Sequence, residues 1–374
     1  MNIPLIDLKG PYKKIERSFL AKAKILLANQ QLILGKYCLA LEESVARHSG
    51  VGHAIACSNG TSALILSLMA LGIKAGDEVI TTPYTFFATA SSVALLGAQP
   101  VFVDIERGDM NIDPALIEKA ITKRTKAITV VHLFGKLCDM ETICRIANKH
   151  GLAVIEDMAQ SLGASRNGRQ SGSFGDIASI SFYPTKNLGG IGEGGMVLTR
   201  RDDLGKRARQ LRVHGMGERT YHHEEIGFNA RLDEIKACAL LEKVPYLDLW
   251  NGKRLANGLF YNKRLKDLPL ALPLVENGER SHIFHQYVIR TRSQKERDGL
   301  KAHLQTKGIG TGIYYPLPLH LQPCFANLGY KAGEMPVAED ASRTSLALPV
   351  FPELKKAEKE YVVQSIREFF SQNN

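Results

Sequence analysis

The amino-acid sequence predicts an α/β fold: a large domain with a mainly parallel mixed sheet flanked by helices, then a smaller C-terminal α+β domain. Between residues 53 and 157, short apolar runs alternate with helical patterns. Those runs are continuously apolar rather than apolar at every second position, as strands covered on both faces require. After Gly175 the alternation gives way to two strand-like runs around a glycine-rich loop, and beyond a long helical stretch the chain turns to Pro-rich loops and shorter elements. The expected division is residues 1–245, with the N-terminal helices in the large domain, and 246–374.

Periodicity predicts helices over about 11–28 and around LALEESVARHSG, the second ending on Gly50. HAIACS reads as a strand, and Asn59-Gly60-Thr61-Ser62 leads into the apolar helix ALILSLMALGI. DEVITT, QPVFVDI, KAITVVHLF and LAVIED read as strands, with helices from about Thr85 to Leu96, at PALIEKAI and at METICRIANKHG. IASISFYP and GGMVLT are the two later strands. In such sheets polar chemistry collects at the carboxyl ends of the strands.

Composition narrows the function classes. With 374 residues, 44% apolar and 23% charged, the chain is a globular protein with room for two cores. It offers no run of about 18 apolar residues to span a membrane and no secretory leader, so a cytoplasmic protein is expected. Six scattered cysteines, without CxxC or finger spacing, predict reduced thiols and no metal site. The net charge of +10 is dispersed. Its densest cluster, KRARQLR, fits one helix face and lacks the interleaved aromatics of a nucleic-acid platform, so the positive potential is assigned to capture of a phosphorylated small substrate.

The chemistry concentrates in SISFYPTKNLGGIGEGGMVLT. A lysine is ordinarily a solvated surface charge, but Lys186 follows an apolar strand and precedes a loop dense in glycine, where backbone can approach a bulky ligand. It is a candidate Schiff-base lysine. Upstream, VIEDMAQS ends a buried strand on Glu156-Asp157. An isolated acid there would merely cap a helix. Paired with a Schiff-base lysine, Asp157 gains a second role: a pyridoxal enzyme needs a carboxylate against the pyridine nitrogen, so that the protonated ring withdraws electrons. That contact is worth about 4 kcal/mol at about 4 Å for an effective dielectric of about 20. Gln160, placed on the same side of an expected helical turn, could bond the ring hydroxyl. Asn59-Gly60-Thr61-Ser62 has the form of a helix N-terminus that cradles a phosphate, although as an isolated feature an ordinary N-cap is the favoured reading.

The runs CSNGTSAL, GDEVITTPYTFFATA, VIEDMAQS, GSFGDIASISFYPTKNLGGIGEGGMV, GFNARLDE and YYPLPLHLQP together resemble the DegT-type (DegT/DnrJ/StrS) nucleotide-sugar aminotransferases, pyridoxal-phosphate enzymes of fold type I. The resemblance runs from about residue 7 to about 347. It implies that Lys186 bonds the cofactor and shuttles the proton, that Asp157 pairs with the pyridine nitrogen, that Gln160 lies near the ring hydroxyl, and that Phe86 stacks on the ring. It implies phosphate contacts from Gly60, Thr61, Ser62 and Ser181, with Asn229 reaching across from the second subunit of a homodimer. Tyr183, Tyr315 and His320 match positions near the sugar; as isolated residues they read as packing aromatics and a surface histidine. Two departures stand out, Met158 where small residues are usual and Phe134 where tyrosine is common.

The implied reaction is a ping-pong transfer from an amino acid, glutamate in this reading, through pyridoxamine phosphate to a dTDP- or UDP-linked keto-sugar. YYPLPLHLQP resembles relatives acting at carbon 3. Sugar 3-dehydratases of the same family carry histidine where this chain has Lys186. Those enzymes, other fold type I activities and a non-catalytic regulator are the alternatives. Two motifs mislead: Gly190 to Gly195 fits GxGxxG but leads into a strand, not a helix, and His222-His223-Glu224-Glu225 lacks the spacing of metal ligands.

Overall fold

A computed structural model describes residues 1–276 and 280–372. Two helices open the chain, α1 (Lys9–Asn29) and α2 (Lys36–Ser49). The second ends where Gly50 takes a left-handed conformation, φ 66°, the stop expected of that glycine. Then follow β1 (His53–Cys57), α3 (Gly60–Ala70), β2 (Glu78–Thr81), α4 (Ala88–Leu95), β3 (Gln99–Phe102), α5 (Pro114–Ala120), β4 (Thr125–Val131), α6 (Met140–His150) and β5 (Ala153–Asp157). A small hairpin, β6 (Ser165–Arg166) and β7 (Arg169–Gln170), precedes β8 (Ile177–Ser181) and β9 (Gly195–Thr199).

The seven-stranded sheet runs β1-β9-β8-β5-β4-β2-β3. Strands β8, β5, β4, β2 and β3 pair in parallel, while β9 is antiparallel to both β8 and β1. The sheet is therefore mixed and mainly parallel, as the alternation predicts. Because β9 is reversed, β1 points the same way as β8, and the carboxyl ends of β1, β8, β5, β4 and β2 share one edge.

Each strand divides its side chains between two apolar layers. Ala54 and Ala56 face a cluster with Leu41, Ile180, Met196 and Leu240, whereas Ile55 and Cys57 face another with Leu66, Val197 and Leu204. That is the period-two geometry of a strand covered on both faces.

Beyond the sheet lie α7 (Asp202–Leu211), α8 (Glu234–Lys243) and α9 (Leu247–Leu265). The helical stretch expected after residue 230 is broken by a 3₁₀ turn at Val244–Tyr246, where Pro245 cannot donate a helical hydrogen bond. The remaining elements are β10 (Tyr287–Arg290), α10 (Gln294–Thr306), α11 (Pro336–Thr344), β11 (Ser345–Leu348) and α12 (Lys356–Gln372). β10 and β11 form an antiparallel pair, and its apolar cluster also takes in Ile3, which bridges to Ile309. Among the described residues no helix is long and apolar enough to cross a membrane, and every cysteine is free.

Candidate active site

The shared carboxyl edge opens into a cavity of about 990 Å³. Three sheet-derived corners and one C-terminal wall build it. After β1 comes the start of α3: Asn59 Oδ1 accepts the N–H of Ser62 at 2.8 Å, capping the helix. Among the described residues the N–H groups of Gly60 and Thr61 are left without a partner. A Cβ on Gly60 would lie 2.7 Å from the Ser181 Cβ, so glycine is needed where α3 and the end of β8 close together. Unpaired N–H groups at a helix start, beside the Thr61 and Ser181 hydroxyls, form a cradle suited to a phosphate.

After β5 comes Asp157, buried, with Oδ2 accepting the Thr89 hydroxyl at 2.8 Å and Oδ1 the Ala159 N–H at 3.2 Å. Burial raises its pKa, and Thr89, Ala159 and the Lys186 cation offset only part of that rise. Such a carboxylate gains most from a cationic N–H partner. Its neighbour Glu156 points to the other face, fully buried, and accepts the N–H groups of Gly172 at 2.8 Å, Phe174 at 2.7 Å and Gly175 at 2.6 Å, and His132 at 2.9 Å. Consecutive acids thus do different work: Glu156 fastens the 172–175 loop, and Asp157 faces the cavity.

After β8 comes Lys186. Its amine has no hydrogen-bond partner among the described residues, and burial lowers its pKa to about 8 against the pull of Asp157. A Schiff-base lysine must shed its proton to react, and burial shifts the balance toward the neutral amine.

Gln160 sits in a run of turns rather than on the expected helix. Its Oε1 accepts the Phe134 N–H at 2.7 Å, and Nε2 donates to the Tyr315 hydroxyl at 3.4 Å. Phe134, in place of the common tyrosine, packs edge-on to Tyr84 with ring centres 6.4 Å apart. Met158 is fully buried and lies where a Cβ on Gly172 would meet its sulfur at 2.5 Å. Its bulk fills space behind the site, not within it.

Of the twelve sequence-predicted site residues, ten line this cavity: Gly60, Thr61, Ser62, Phe86, Asp157, Gln160, Ser181, Tyr183, Lys186 and Tyr315. Phe86 and Tyr183 are largely exposed at its mouth. Asn229 does not line it; it is exposed, bridged to Val213, with Oδ1 accepting from Arg231 Nε at 3.0 Å. His320 corrects the surface reading. It neither reaches the cavity nor lies on the surface, because its 3₁₀ turn packs inward and Nε2 meets Glu339 at 3.2 Å.

Sequence reasoning missed Thr89, whose contact with Asp157 spans 68 positions, and His285, which the C-terminal half delivers to the cavity. Gly190 to Gly195 runs into β9, with Gly195 pressed so close to the Asn59 carbonyl that a Cβ would approach within 2.3 Å. His223 turns to the His214 carbonyl and Glu225 pairs with Arg207, and no metal-binding cluster exists among the described residues.

The residues present fit pyridoxal phosphate: a phosphate cradle that a Cβ would fill, an unpaired amine depressed to about 8, and a buried carboxylate short of a cation. The pattern of the DegT/DnrJ/EryC1/StrS aminotransferase family matches residues 13–367. The chain is 47% identical, over 99% of both chains, to a protein of Geobacillus stearothermophilus named a pleiotropic regulatory protein. It is 44% identical to the UDP-N-acetyl-3-dehydro-alpha-D-glucosamine 3-aminotransferase of Acidithiobacillus ferrooxidans, over 98% of this chain and 97% of that one. Its fold superposes with a TM-score of 0.94 on DesV of S. venezuelae, solved in complex with a ketimine intermediate, at 38% identity and 98% coverage of both chains. By this match along nearly its whole length, the chain belongs to the DegT/DnrJ/EryC1/StrS aminotransferase family.

Proposed function

We propose that the protein is a pyridoxal-phosphate-dependent aminotransferase that moves an amino group from an amino acid, glutamate in this reading, to a dTDP- or UDP-linked sugar with its keto group at carbon 3. The observation that carries the proposal is the convergence of Lys186 and Asp157 on one cavity whose third corner is an anion cradle. The named 3-aminotransferase relative supports the sugar and the position of its keto group.

Bound there, pyridoxal phosphate would supply an electron sink for the carbanion at the substrate carbon. Gly60, Thr61, Ser62 and Ser181 would take its phosphate, Asp157 its pyridine nitrogen, Gln160 its ring hydroxyl and Phe86 a ring face. Lys186 Nζ holds the cofactor and, once released, carries a proton to and from the substrate carbon. Burial lowers its pKa, which eases return of the amine to the neutral form that acts as the base. Tyr183 and Tyr315 wall the substrate side. Asn229, exposed on its own chain, is assigned to the phosphate of a second copy, so the working unit is a homodimer, without membrane or nucleic acid and in the cytoplasm. The division into two domains near residue 246 belongs to the same reading.

Borohydride reduction of the purified holoprotein followed by peptide mass spectrometry should place the cofactor on Lys186. Mass spectrometry of products from dTDP- and UDP-linked 3-keto and 4-keto sugars with glutamate should then find an added amine on a 3-keto substrate; gain of none would sink the substrate assignment. The name of the G. stearothermophilus relative favours one rival, a regulator without catalysis. That rival predicts no loss of the cofactor's visible imine absorption when glutamate is added.

A further inference from the structure

His285 belongs to no role given so far, although it lines the cavity and is only 7% exposed. Its protonation pattern follows from a chain of bonds that ends on a group able only to accept. Asn251 Nδ2 donates to the Leu162 carbonyl at 2.9 Å, which leaves Asn251 Oδ1 to accept from Asn187 Nδ2 at 2.6 Å. Asn187 Oδ1 is thereby the acceptor facing His285 Nδ1 at 2.9 Å, and the proton must sit on Nδ1. Nε2 is left as a bare acceptor, with no partner among the described residues. Burial first, then the Lys186 and Arg254 cations, hold this imidazole well below its ordinary pKa, so it stays neutral.

We infer that His285 Nε2 is a specificity-determining acceptor that takes a hydroxyl or amide donor of the sugar and turns away carboxylate and phosphate oxygens. An unpaired acceptor in a cavity wall discriminates because a bound ligand lacking a donor leaves it desolvated and unmatched. The relay through Asn187, the residue after Lys186, keeps this acceptor in register with the amine.

The inference rests on the sugar-aminotransferase reading. Two substitutions separate its parts: an asparagine amide can reach Asn187 but places nothing at the Nε2 position, whereas a glutamine carbonyl places an acceptor there. Binding of UDP-N-acetylglucosamine and dTDP-glucose, neither of which can react, is measured by titration calorimetry on holoprotein. For the tighter probe, His285→Asn should weaken binding about tenfold, near the upper end for one neutral hydrogen bond. His285→Gln should recover to within about threefold of wild type, and borohydride should still fix the cofactor on Lys186 in both. Unchanged affinity in His285→Asn overturns the inference, as do equal losses in the two variants or failure of either to hold the cofactor, which would make His285 a scaffold residue. Failure of the wild-type protein to bind either probe instead overturns the substrate reading beneath it.

Discussion

The hydroxyl of Thr89, in the first turn of α4, donates to Asp157 Oδ2 at 2.8 Å and leaves Oδ1 with only the Ala159 N–H. The carboxylate is thus fixed by one edge, with its remaining capacity directed into the cavity. Thr89→Val keeps the shape and removes the donor. A buried hydrogen bond to a charged group is worth roughly 1.5–3 kcal/mol, so turnover should fall about 10- to 100-fold and stability should drop by no more than that amount. Steady-state rates and thermal melts on the same preparation check this; an unaltered rate would remove Thr89 from the machinery.

Lys186 has a pKa of about 8 instead of 10.5, through burial. Uptake of pyridoxal phosphate by apoprotein should therefore accelerate with pH to a midpoint near 8. The sign for stability follows: the folded-state pKa lies below the unfolded one, so the charged amine disfavours folding below about pH 8, and the penalty fades as pH rises toward 10.5. Lys186→Met should raise the apoprotein melting temperature at neutral pH by roughly 2 °C or more while abolishing transfer. Calorimetry of both apoproteins across pH tests it.

Gly60→Ala would set a Cβ 2.7 Å from the Ser181 Cβ and 3.0 Å from its hydroxyl oxygen. The cradle must widen, and cofactor affinity should drop about tenfold or more, which fluorescence titration with pyridoxal phosphate reads directly.

Glu156 ties four donors in a fully buried setting. Burial pushes its pKa up, but His132 and the backbone N–H groups outweigh it and hold the group below the usual range. Its stabilisation is present above about pH 4.3, the unfolded value, and lost as pH falls through the lower folded value. Glu156→Gln turns one acceptor into a donor facing donors and should cost about 3–5 kcal/mol at neutral pH, with a flatter acid limb than wild type in urea melts.

If Asn229 serves a second copy, Lys186→Ala mixed with Asn229→Ala and allowed to exchange subunits should regain activity, because one site of each hybrid holds both residues intact. No recovery in a demonstrated hybrid would confine Asn229 to its own chain.

Much of this architecture is readable in the sequence because burial on both faces writes short apolar runs, and β2, β4 and β5 carry them. Lys186 stands out by its glycine surroundings. What stays hidden depends on pairing across distance: nothing near Thr89 names Asp157, and nothing near His320 foretells Glu339. The helix expected from Thr85 starts at Ala88, since the preceding residues form the turn that carries Phe86 to the cavity mouth. The β6–β7 hairpin was within reach, for Asn167-Gly168 is a strong two-residue turn signal and Gly168 takes φ 74°.

The reversed strand β9 has a consequence for how the chain can be cut. The segment from 182 to 194 leaves the sheet and returns to the same edge, holding the lysine on a closed loop with both anchors in adjacent strands. New termini opened inside that loop would release one anchor and let the amine wander. Circular permutants should thus tolerate breaks elsewhere, while those between Lys186 and Gly195 fold yet cannot keep the vitamin in place.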